Sequence, residues 1–284
     1  MNKAQNRAGR FRKLARSRDA ERPGRGARTG PRPEPADLLA GRNPLRELLL
    51  HDASRIEEVL VSRAGEQAPR ASTRQGLIDL VQEKAVPLRF VSPDELDKLA
   101  GTASHQGFCA VLREREMKSL KDVLPGLEQA ERAMVVLLDE INDPHNFGAI
   151  LRACECFGID AVVHSKNRGS RLTPVVTKSS AGASELVSIV TVSNLAEAAR
   201  RLRQAGFWLV AAEAYEGSRD LFSFDFPPKT ALILGSEGAG IQELLRKEAD
   251  FRVKIPLCGR IDSLNVSQAA AVMLYVWRAA QSTT

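Results

Sequence analysis

The sequence predicts an α/β protein whose larger part is a doubly wound, mostly parallel sheet, preceded by a smaller α/β unit. The first observation is that short, continuous apolar runs alternate with helical patterns between residues 134 and 281. Strands that are apolar throughout are typical of a parallel sheet with helices on both faces. The second observation is a shorter series of alternating strand and helix patterns over residues 37–113. Residues 114–131 are highly charged and contain a Pro-Gly pair, so we interpret them as a partly helical linker.

The predicted elements follow from the period of the apolar residues along the chain. In the smaller unit we predict helices over 37–50, 72–85 and 94–100, and strands over 56–62, 86–91 and 107–112. In the larger unit we predict strands over 134–138, 160–164, 207–212, 230–234 and 251–255. The helices of that unit are predicted over 146–157, 174–182, 195–205, 241–247 and 265–281.

The positive charge of the chain is concentrated at its start. The formal net charge is +6, but residues 1–36 alone contain eleven Lys or Arg against three acids. The rest of the chain is therefore slightly acidic. Because residues 1–36 have almost no large apolar side chains, we predict a basic, disordered tail. Such a tail would attract a polyanion such as RNA, although a solubilising role without a partner is also open.

Composition excludes several classes of protein. No apolar run approaches the roughly 18 residues of a membrane span, and the start of the chain lacks the apolar core of a signal peptide. The four cysteines form no CxxC pair and have no partners at zinc-ligand spacing. We predict free thiols, mostly buried, no metal site and a cytoplasmic protein.

Three polar segments follow predicted strands of the larger unit, where open α/β sheets bind ligands. In the first, Pro144 precedes Asn146, which we predict to cap a helix that ends at Gly158. Arg152 lies on the second turn of this helix. By itself, this segment is also compatible with an ordinary cap and a solvated arginine.

The second segment is glycine-rich, with Gly235, Gly238 and Gly240 directly after an apolar strand. These glycines permit a tight turn and a close approach of the backbone to a ligand. The spacing is neither that of the dinucleotide-binding fingerprint nor that of a P-loop. Glu237 would repel a phosphate, so a phosphate-binding loop is disfavoured.

The third segment runs from Ile255 and Pro256 to the start of the last helix. Ser263, Asn265 and Ser267 are clustered there, and Asn265 has capping-box spacing to Gln268. Capping explains one of these polar residues but not all three.

Together, the three segments resemble the motifs of the SpoU/TrmH class of RNA 2′-O-methyltransferases, also called the SPOUT class. The family patterns are N-x-G-x-x-x-R, then G-x-E-G, then Ile-Pro followed by S-L-N-x-S. Here they correspond to Asn146, Gly148 and Arg152, to the segment 235–238, and to the segments 255–256 and 263–267. Residues 41–45, 105–107, 178–185 and 192–196 are similar to the subgroup that methylates a guanosine of 23S rRNA.

The resemblance implies a fold, a cofactor and a division of the chain. It implies a deep trefoil knot in a methyltransferase domain over 132–284, and an L30e-like RNA-binding domain over 37–113. It also implies S-adenosylmethionine as the methyl donor, with no metal. The implied cofactor-binding residues are Gly235, Ser236, Gly238, Ile255, Leu257 and Leu264. A homodimer is expected from the family and from an apolar surface formed by Val272, Met273, Val276 and Trp277 on the last helix.

The resemblance also assigns roles to the polar residues. Arg152 is the candidate that activates the ribose hydroxyl. Because the pKa of arginine lies above about 12, we favour stabilisation of alkoxide charge and phosphate binding over proton removal. Asn146 and Glu237 would orient Arg152 and the ribose, and Ser263 and Asn265 would complete the pocket. For His145 we favour a solvated or structural role, and for His105 packing or an RNA contact.

Three alternatives to a 23S rRNA methyltransferase are open at this point. The first is a tRNA ribose methyltransferase of the same family. The second is an RNA-binding ribosome-assembly factor without catalysis, which the intact motif residues disfavour. The third is an enzyme acting on small nucleotides, which the missing phosphate-loop patterns and the basic tail disfavour.

Overall fold

The computed structural model describes residues 38–63, 71–101, 105–114, 117–166 and 169–282. The predicted basic tail over 1–36 lies outside the described residues. Within the described residues there are two sheets, one of four strands and one of seven. The predicted α/β class with a parallel main sheet is confirmed.

The smaller sheet is mixed and contains the first four strands. Its strand order is β1-β4-β2-β3, in which β2 and β3 are parallel and the other pairs are antiparallel. The elements in chain order are β1 (Leu38–Ala40), α1 (Arg42–His51), β2 (Ile56–Ser62), α2 (Ala71–Glu83), β3 (Leu88–Val91), α3 (Pro93–Ala100) and β4 (Phe108–Leu112).

The start of this unit differs from the prediction. The helix predicted over 37–50 begins only at Arg42, because Leu38–Ala40 forms the edge strand β1 paired with β4. Leu38 and Leu39 match a helical apolar stripe, but each is buried on a different face of the sheet. Sequence period alone does not separate these two cases in so short a run.

The larger sheet is parallel in every strand pair of the described chain. Its strand order is β7-β6-β5-β10-β8-β11-β9. The strands are β5 (Ala133–Leu138), β6 (Ala161–Ser165), β7 (Ile189–Val192), β8 (Trp208–Ala212), β9 (Arg219–Asp220), β10 (Lys229–Leu234) and β11 (Phe251–Lys254). The helices are α4 (Leu120–Gln129), α5 (Pro144–Phe157), α6 (Pro174–Ser179), α7 (Ala183–Leu186), α8 (Leu195–Gln204), α9 (Glu243–Glu248) and α10 (Val266–Ser282).

Helices cover both faces of this sheet, as the continuous apolar strands require. Alternate residues of β5 point to opposite faces, so Met134 and Val136 join one core and Val135 and Leu137 the other. The first core is closed by α5 and α10, and the second by α4, α8 and α9. Helix α4 lies within the segment interpreted as a linker, and its Leu120 and Leu127 are buried in the second core.

The smaller sheet packs against the larger unit through the region of α6 and α7. A Cβ on Gly182, whose φ is +93°, would lie 3.0 Å from the Cα of Pro44 in α1. Beside this contact, Arg55 Nη2 lies 3.1 Å from Glu185 Oε2, and both side chains are largely buried. The two units are therefore held together by close backbone packing and by an ion pair.

Two predictions about burial are corrected by the fold. Met273 and Trp277 of α10 are 2% and 3% exposed and belong to the protein's own core, so the predicted apolar surface is wrong for them. Val272 and Tyr275 are large apolar residues of this helix that are exposed. The prediction that the free thiols are mostly buried is correct for Cys109 and Cys154 but wrong for Cys156 and Cys258, which are exposed.

No helix in the described part of the chain is both long enough and apolar enough to cross a bilayer.

Candidate functional site

The three motif segments are the loops that follow β5, β10 and β11. In a parallel sheet the carboxyl ends of all strands meet at one edge, so these loops are brought together although they are far apart in sequence. Strand β10 is paired with β5 on one side and with β8 on the other, and β11 follows β8. The loop after β8 therefore enters the same region.

The first segment differs from the prediction at its cap. The N-cap of α5 is Asp143, whose Oδ1 accepts a hydrogen bond of 2.9 Å from the backbone N–H of His145, and Pro144 is the first helical residue. The prediction that Asn146 caps this helix is wrong. Because Asp143 has that role, the Asn146 side chain is available for tertiary contacts. Gly158 ends the helix with φ +65°, as predicted.

Gly148 lies on the buried face of the same helix. A Cβ at this position would approach Ser179 Oγ to 1.9 Å and the carbonyl oxygen of Val176 to 2.8 Å. The glycine in N-x-G-x-x-x-R is thus required by the close packing of α6 on α5. This packing fixes the helix that bears Asn146 and Arg152.

The second segment folds into a tight hairpin over residues 235–240, which we call the glycine loop. The backbone N–H groups of Ser236 and Gly240 each bond the other's carbonyl oxygen, at 3.1 and 2.9 Å. A Cβ on Gly235 would lie 2.3 Å from the carbonyl carbon of Gly240, so only glycine fits there. Gly238 and Gly240 have φ of +84° and +68°, which favour glycine. Glu237 is thereby placed at the tip of the loop.

The three segments meet in a hydrogen-bonded network formed by Asn146, Glu237 and Asn265. Asn265 Nδ2 donates to Glu237 Oε1 at 2.6 Å and to Asn146 Oδ1 at 2.9 Å. Asn146 Nδ2 also donates to Glu237 Oε1, at 3.1 Å. One carboxylate oxygen therefore accepts two amide donors, and each motif supplies one member of a closed triangle.

Asn265 is fixed from the other side by the start of α10. Its Oδ1 accepts hydrogen bonds from the backbone N–H of Ser267 at 2.9 Å and from Ser267 Oγ at 2.6 Å. Asn265 therefore caps α10 and joins the network at the same time. Capping thus accounts for Asn265 together with Ser267, whereas Ser263 is exposed.

Beside the network lies a cavity of about 790 Å³. Its walls come from the ends of β8, β10 and β11 and from the start of α10. The predicted site residues that line it are Gly235, Ser236, Glu237, Gly238, Ile255, Leu257, Ser263, Leu264 and Asn265. All six residues predicted to bind the cofactor thus line a single cavity.

Arg152 is not in this cavity. It is exposed on α5, six residues after Asn146 and so about 9 Å further along the helix axis. It makes no hydrogen bond or ion pair with any described residue. The structure therefore brings together Asn146, Glu237 and Asn265, and leaves the guanidinium of Arg152 directed to solvent.

The histidines have structural surroundings. His105 is held by Asp97 Oδ1 at 2.7 Å from its Nε2, and its Nδ1 accepts the N–H of Gly107 at 3.0 Å. This agrees with the packing role expected for it, and His145 is exposed at the start of α5. His164 is buried against Phe147, and this burial lowers its pKa from 6.5 to about 4.

The sequence analysis missed several residues at this site. Glu213 and Tyr215 after β8, and Arg246 of α9, also line the cavity. Asp139, directly after β5, accepts a hydrogen bond of 2.7 Å from the N–H of Gln242 at the base of the glycine loop. Asp139 and Glu213 could have been found in the sequence, because each is an acidic residue at the carboxyl end of an apolar strand.

Burial also raises the pKa of two thiols, and the described residues contain no group of potential metal ligands. Burial raises the pKa of Cys109 to about 12 and the pKa of Cys154 further still, so neither is a thiolate at neutral pH. Among the residues that the structure describes, no three His, Cys, Asp or Glu side chains are placed to hold a metal ion.

Comparison with known proteins agrees with this arrangement. Residues 133–275 match the SpoU rRNA Methylase family, and residues 38–118 match the family described as RNA 2′-O ribose methyltransferase substrate binding. The 23S rRNA (guanosine-2′-O-)-methyltransferase RlmB of Xanthomonas campestris pv. campestris is 36% identical over 243 residues, which are 84% of this chain and 94% of that protein. RlmB of Pseudomonas putida is 34% identical over 240 residues, with the same coverage of 84% and 94%.

A solved structure has the same fold. The SpoU methyltransferase AviRb from Streptomyces viridochromogenes, crystallised in complex with AdoMet, superposes with a TM-score of 0.69 over 87% of this chain and 90% of that chain, at 24% identity. The motif order, the convergence of the three motifs, the family match and the identity to the two relatives lead to one conclusion. The chain belongs to the SpoU rRNA methylase family.

Proposed function

We propose that this protein transfers a methyl group from S-adenosylmethionine to the ribose 2′-hydroxyl of a guanosine in 23S rRNA. The observation that supports this most directly is that all six predicted cofactor residues line one cavity, beside the network of Asn146, Glu237 and Asn265. The two relatives named above have this activity in their names, and both match the chain over most of its length.

The cavity suits an adenosine-containing cofactor. Its volume of about 790 Å³ falls within the range of small-molecule sites. Gly235 has no room for a side chain, and Ile255, Leu257 and Leu264 offer apolar contacts and backbone groups. We assign these residues, with Ser236 and Gly238, to cofactor binding. Bound there, S-adenosylmethionine would supply a methyl group on a sulfonium, which is already a good leaving group.

The polar residues would orient and stabilise the RNA. Arg152 is exposed and unbonded within the described chain, so its guanidinium is available to an RNA phosphate and to negative charge developing on the 2′-oxygen. The network fixes the side chain of Asn146, which lies on the same helix as Arg152. Both amides donate to Glu237 Oε1, so Glu237 Oε2 is not engaged by them. We assign ribose orientation to Asn146 and Glu237, and assign Ser263 and Asn265 to the wall of the pocket.

The remaining parts of the chain would serve RNA binding and assembly. We propose that residues 37–113 form an L30e-like domain that binds the RNA, and that the tail over 1–36 adds electrostatic attraction to it. We further propose a trefoil knot around the cofactor loops, a homodimer and a cytoplasmic location. A homodimer would have twice the 31.0 kDa chain mass in light scattering at micromolar concentration.

The experiment that tests the function is methylation of defined RNAs by the purified protein. Radiolabelled S-adenosylmethionine is supplied with 23S rRNA or tRNA from a strain that lacks this gene, and the modified nucleoside is identified by mass spectrometry. We expect 2′-O-methylguanosine in 23S rRNA. Label confined to tRNA would overturn the substrate, and a label on neither RNA would overturn the activity.

A further inference from the structure

The glycine loop is closed by two backbone hydrogen bonds between Ser236 and Gly240, and among the described residues it reaches the other motifs only through Glu237. Apart from Glu237, its residues are glycines and short side chains, and Gly238 and Gly240 have positive φ. Such backbone has many accessible conformations when it is not held. The loop nevertheless lines the cavity and presents Glu237 to Asn265. Contacts at its base, where the chain passes into α9, therefore add to those within the hairpin and at Glu237 in fixing its shape.

Besides the Asp139 bond to the N–H of Gln242, Arg246 of α9 makes two contacts at this base. Its Nη2 donates to the carbonyl oxygen of Ile241 at 2.9 Å, directly after the loop. Its Nε donates to Glu213 Oε2, also at 2.9 Å, at the end of β8. A single planar guanidinium thus ties the loop to a strand that is separate from it in sequence. Lysine, with one ammonium group, does not have this fork geometry.

Each carboxylate oxygen of Glu213 contacts an arginine side chain. Its Oε1 lies 3.2 Å from Arg252 Nε of β11, an ion-pair contact without hydrogen-bond geometry, and this oxygen is inaccessible to solvent. Its Oε2 is occupied by Arg246. The Glu213 side chain is only 12% exposed, although the residue lines the cavity. The carboxylate is therefore held by two protein cations, Arg246 and Arg252.

From these contacts we propose that Glu213 and Arg246 are positioning residues, which hold the glycine loop in its cofactor-binding shape. The proposal rests on the proposed function, because it takes the cavity to be the S-adenosylmethionine site. The pair acts through the loop backbone and not by touching the cofactor. A loop that must be ordered at the moment of binding weakens affinity, whereas a loop that is held in advance does not.

The test measures S-adenosylmethionine affinity by calorimetry for the wild type, Arg246→Lys, Glu213→Gln and the double variant. We expect a rise in Kd of about tenfold for Arg246→Lys, because lysine keeps the charge and loses one of the two contacts. Bound cofactor should order the loop again, so kcat at saturating cofactor is expected to stay near the wild-type value while KM rises. The Kd of the double variant should be close to the higher of the two single-variant Kd values, because both substitutions disrupt the same interaction.

Arg200→Lys is the matched control. Arg200 also bridges two acids, Glu197 and Glu248, but it lies on the surface at α8 and does not line the cavity. Its Kd should equal that of the wild type. Unchanged affinity in both single variants would overturn the positioning role, and strictly multiplicative effects in the double variant would indicate separate direct contacts instead. Failure of the wild type to bind the cofactor would overturn the proposed function and not this inference alone.

Discussion

The two parts of the candidate site differ in how far they are assembled. The network of Asn146, Glu237 and Asn265, with the glycine loop, is held by hydrogen bonds from several elements of the protein itself. Arg152, on the same helix as Asn146, is exposed and makes no bond with a described residue. Under the proposed function, the glycine loop and the network are preorganised, whereas Arg152 would gain its contacts only when the RNA binds.

The largest expected effect comes from Arg152→Ala. If Arg152 acts on the ribose and not on the cofactor, methyl transfer should fall about 10²–10³-fold while S-adenosylmethionine affinity stays nearly constant. Arg152→Lys separates charge from geometry, because lysine keeps the charge but not the planar fork. Single-turnover methylation and calorimetry measure the two quantities. Arg201→Ala on α8, on the opposite face of the sheet, is the control and should retain activity.

Near-normal turnover in Arg152→Ala would remove Arg152 from the catalytic centre. The contrast between the two parts of the site would then be without functional meaning.

The next effect concerns the support beneath α5. His164 packs on Phe147 of α5, and burial lowers its pKa from 6.5 to about 4. The unfolded chain therefore binds a proton at higher pH than the folded chain, and stability falls as the pH drops from about 6.5 to about 4. The full loss is about 3 kcal/mol, since each unit of pKa shift corresponds to about 1.4 kcal/mol.

Urea unfolding across this pH range measures that loss. His164→Asn should flatten the profile, whereas His51→Asn should not, because His51 is exposed. An unchanged pH profile in His164→Asn would mean that other groups control acid stability and that α5 does not depend on this histidine.

A smaller effect is expected from Gly235→Ala. The added Cβ would lie 2.3 Å from the carbonyl carbon of Gly240, so the hairpin must open and its fixed shape is lost. We expect a loss of about 1–3 kcal/mol in stability from overpacking, together with weaker cofactor binding. Gly259→Ala is the control, since the atom nearest to its added Cβ is 4.0 Å away. Equal cofactor affinity in the two variants would contradict a preorganised loop.

The smallest expected effect is that of chelation. A sulfonium leaving group needs no Lewis acid, and the described residues contain no cluster of metal ligands. Calorimetry should therefore give the same S-adenosylmethionine affinity with and without EDTA. A requirement for a divalent ion in this titration would refute the prediction that protein groups alone bind the cofactor in this cavity.

Much of the fold could be predicted because the strands of a covered parallel sheet are apolar throughout. Strand β2 has the predicted bounds Ile56–Ser62, and β5 and β10 each begin one residue earlier than predicted. The strands that were missed, β1, β7 and β9, have three, four and two residues, too few to establish a period. Helix α10 was predicted within one residue at each end, but the orientation of its apolar residues was not. Met273 and Trp277 face the core because α10 packs on α5.

The sequence by itself determined the α/β class, the order of the motifs and the residue types that they contain. Only the tertiary structure decided which of these residues meet. Asn146 was predicted as a cap, but Asp143 has that role, and Asn146 instead bonds Glu237 and Asn265, 91 and 119 residues away. Contacts at such separation depend on strand order, because the carboxyl ends of parallel strands share one edge regardless of their distance in sequence. The local sequence pattern does not predict the order of the strands in the sheet.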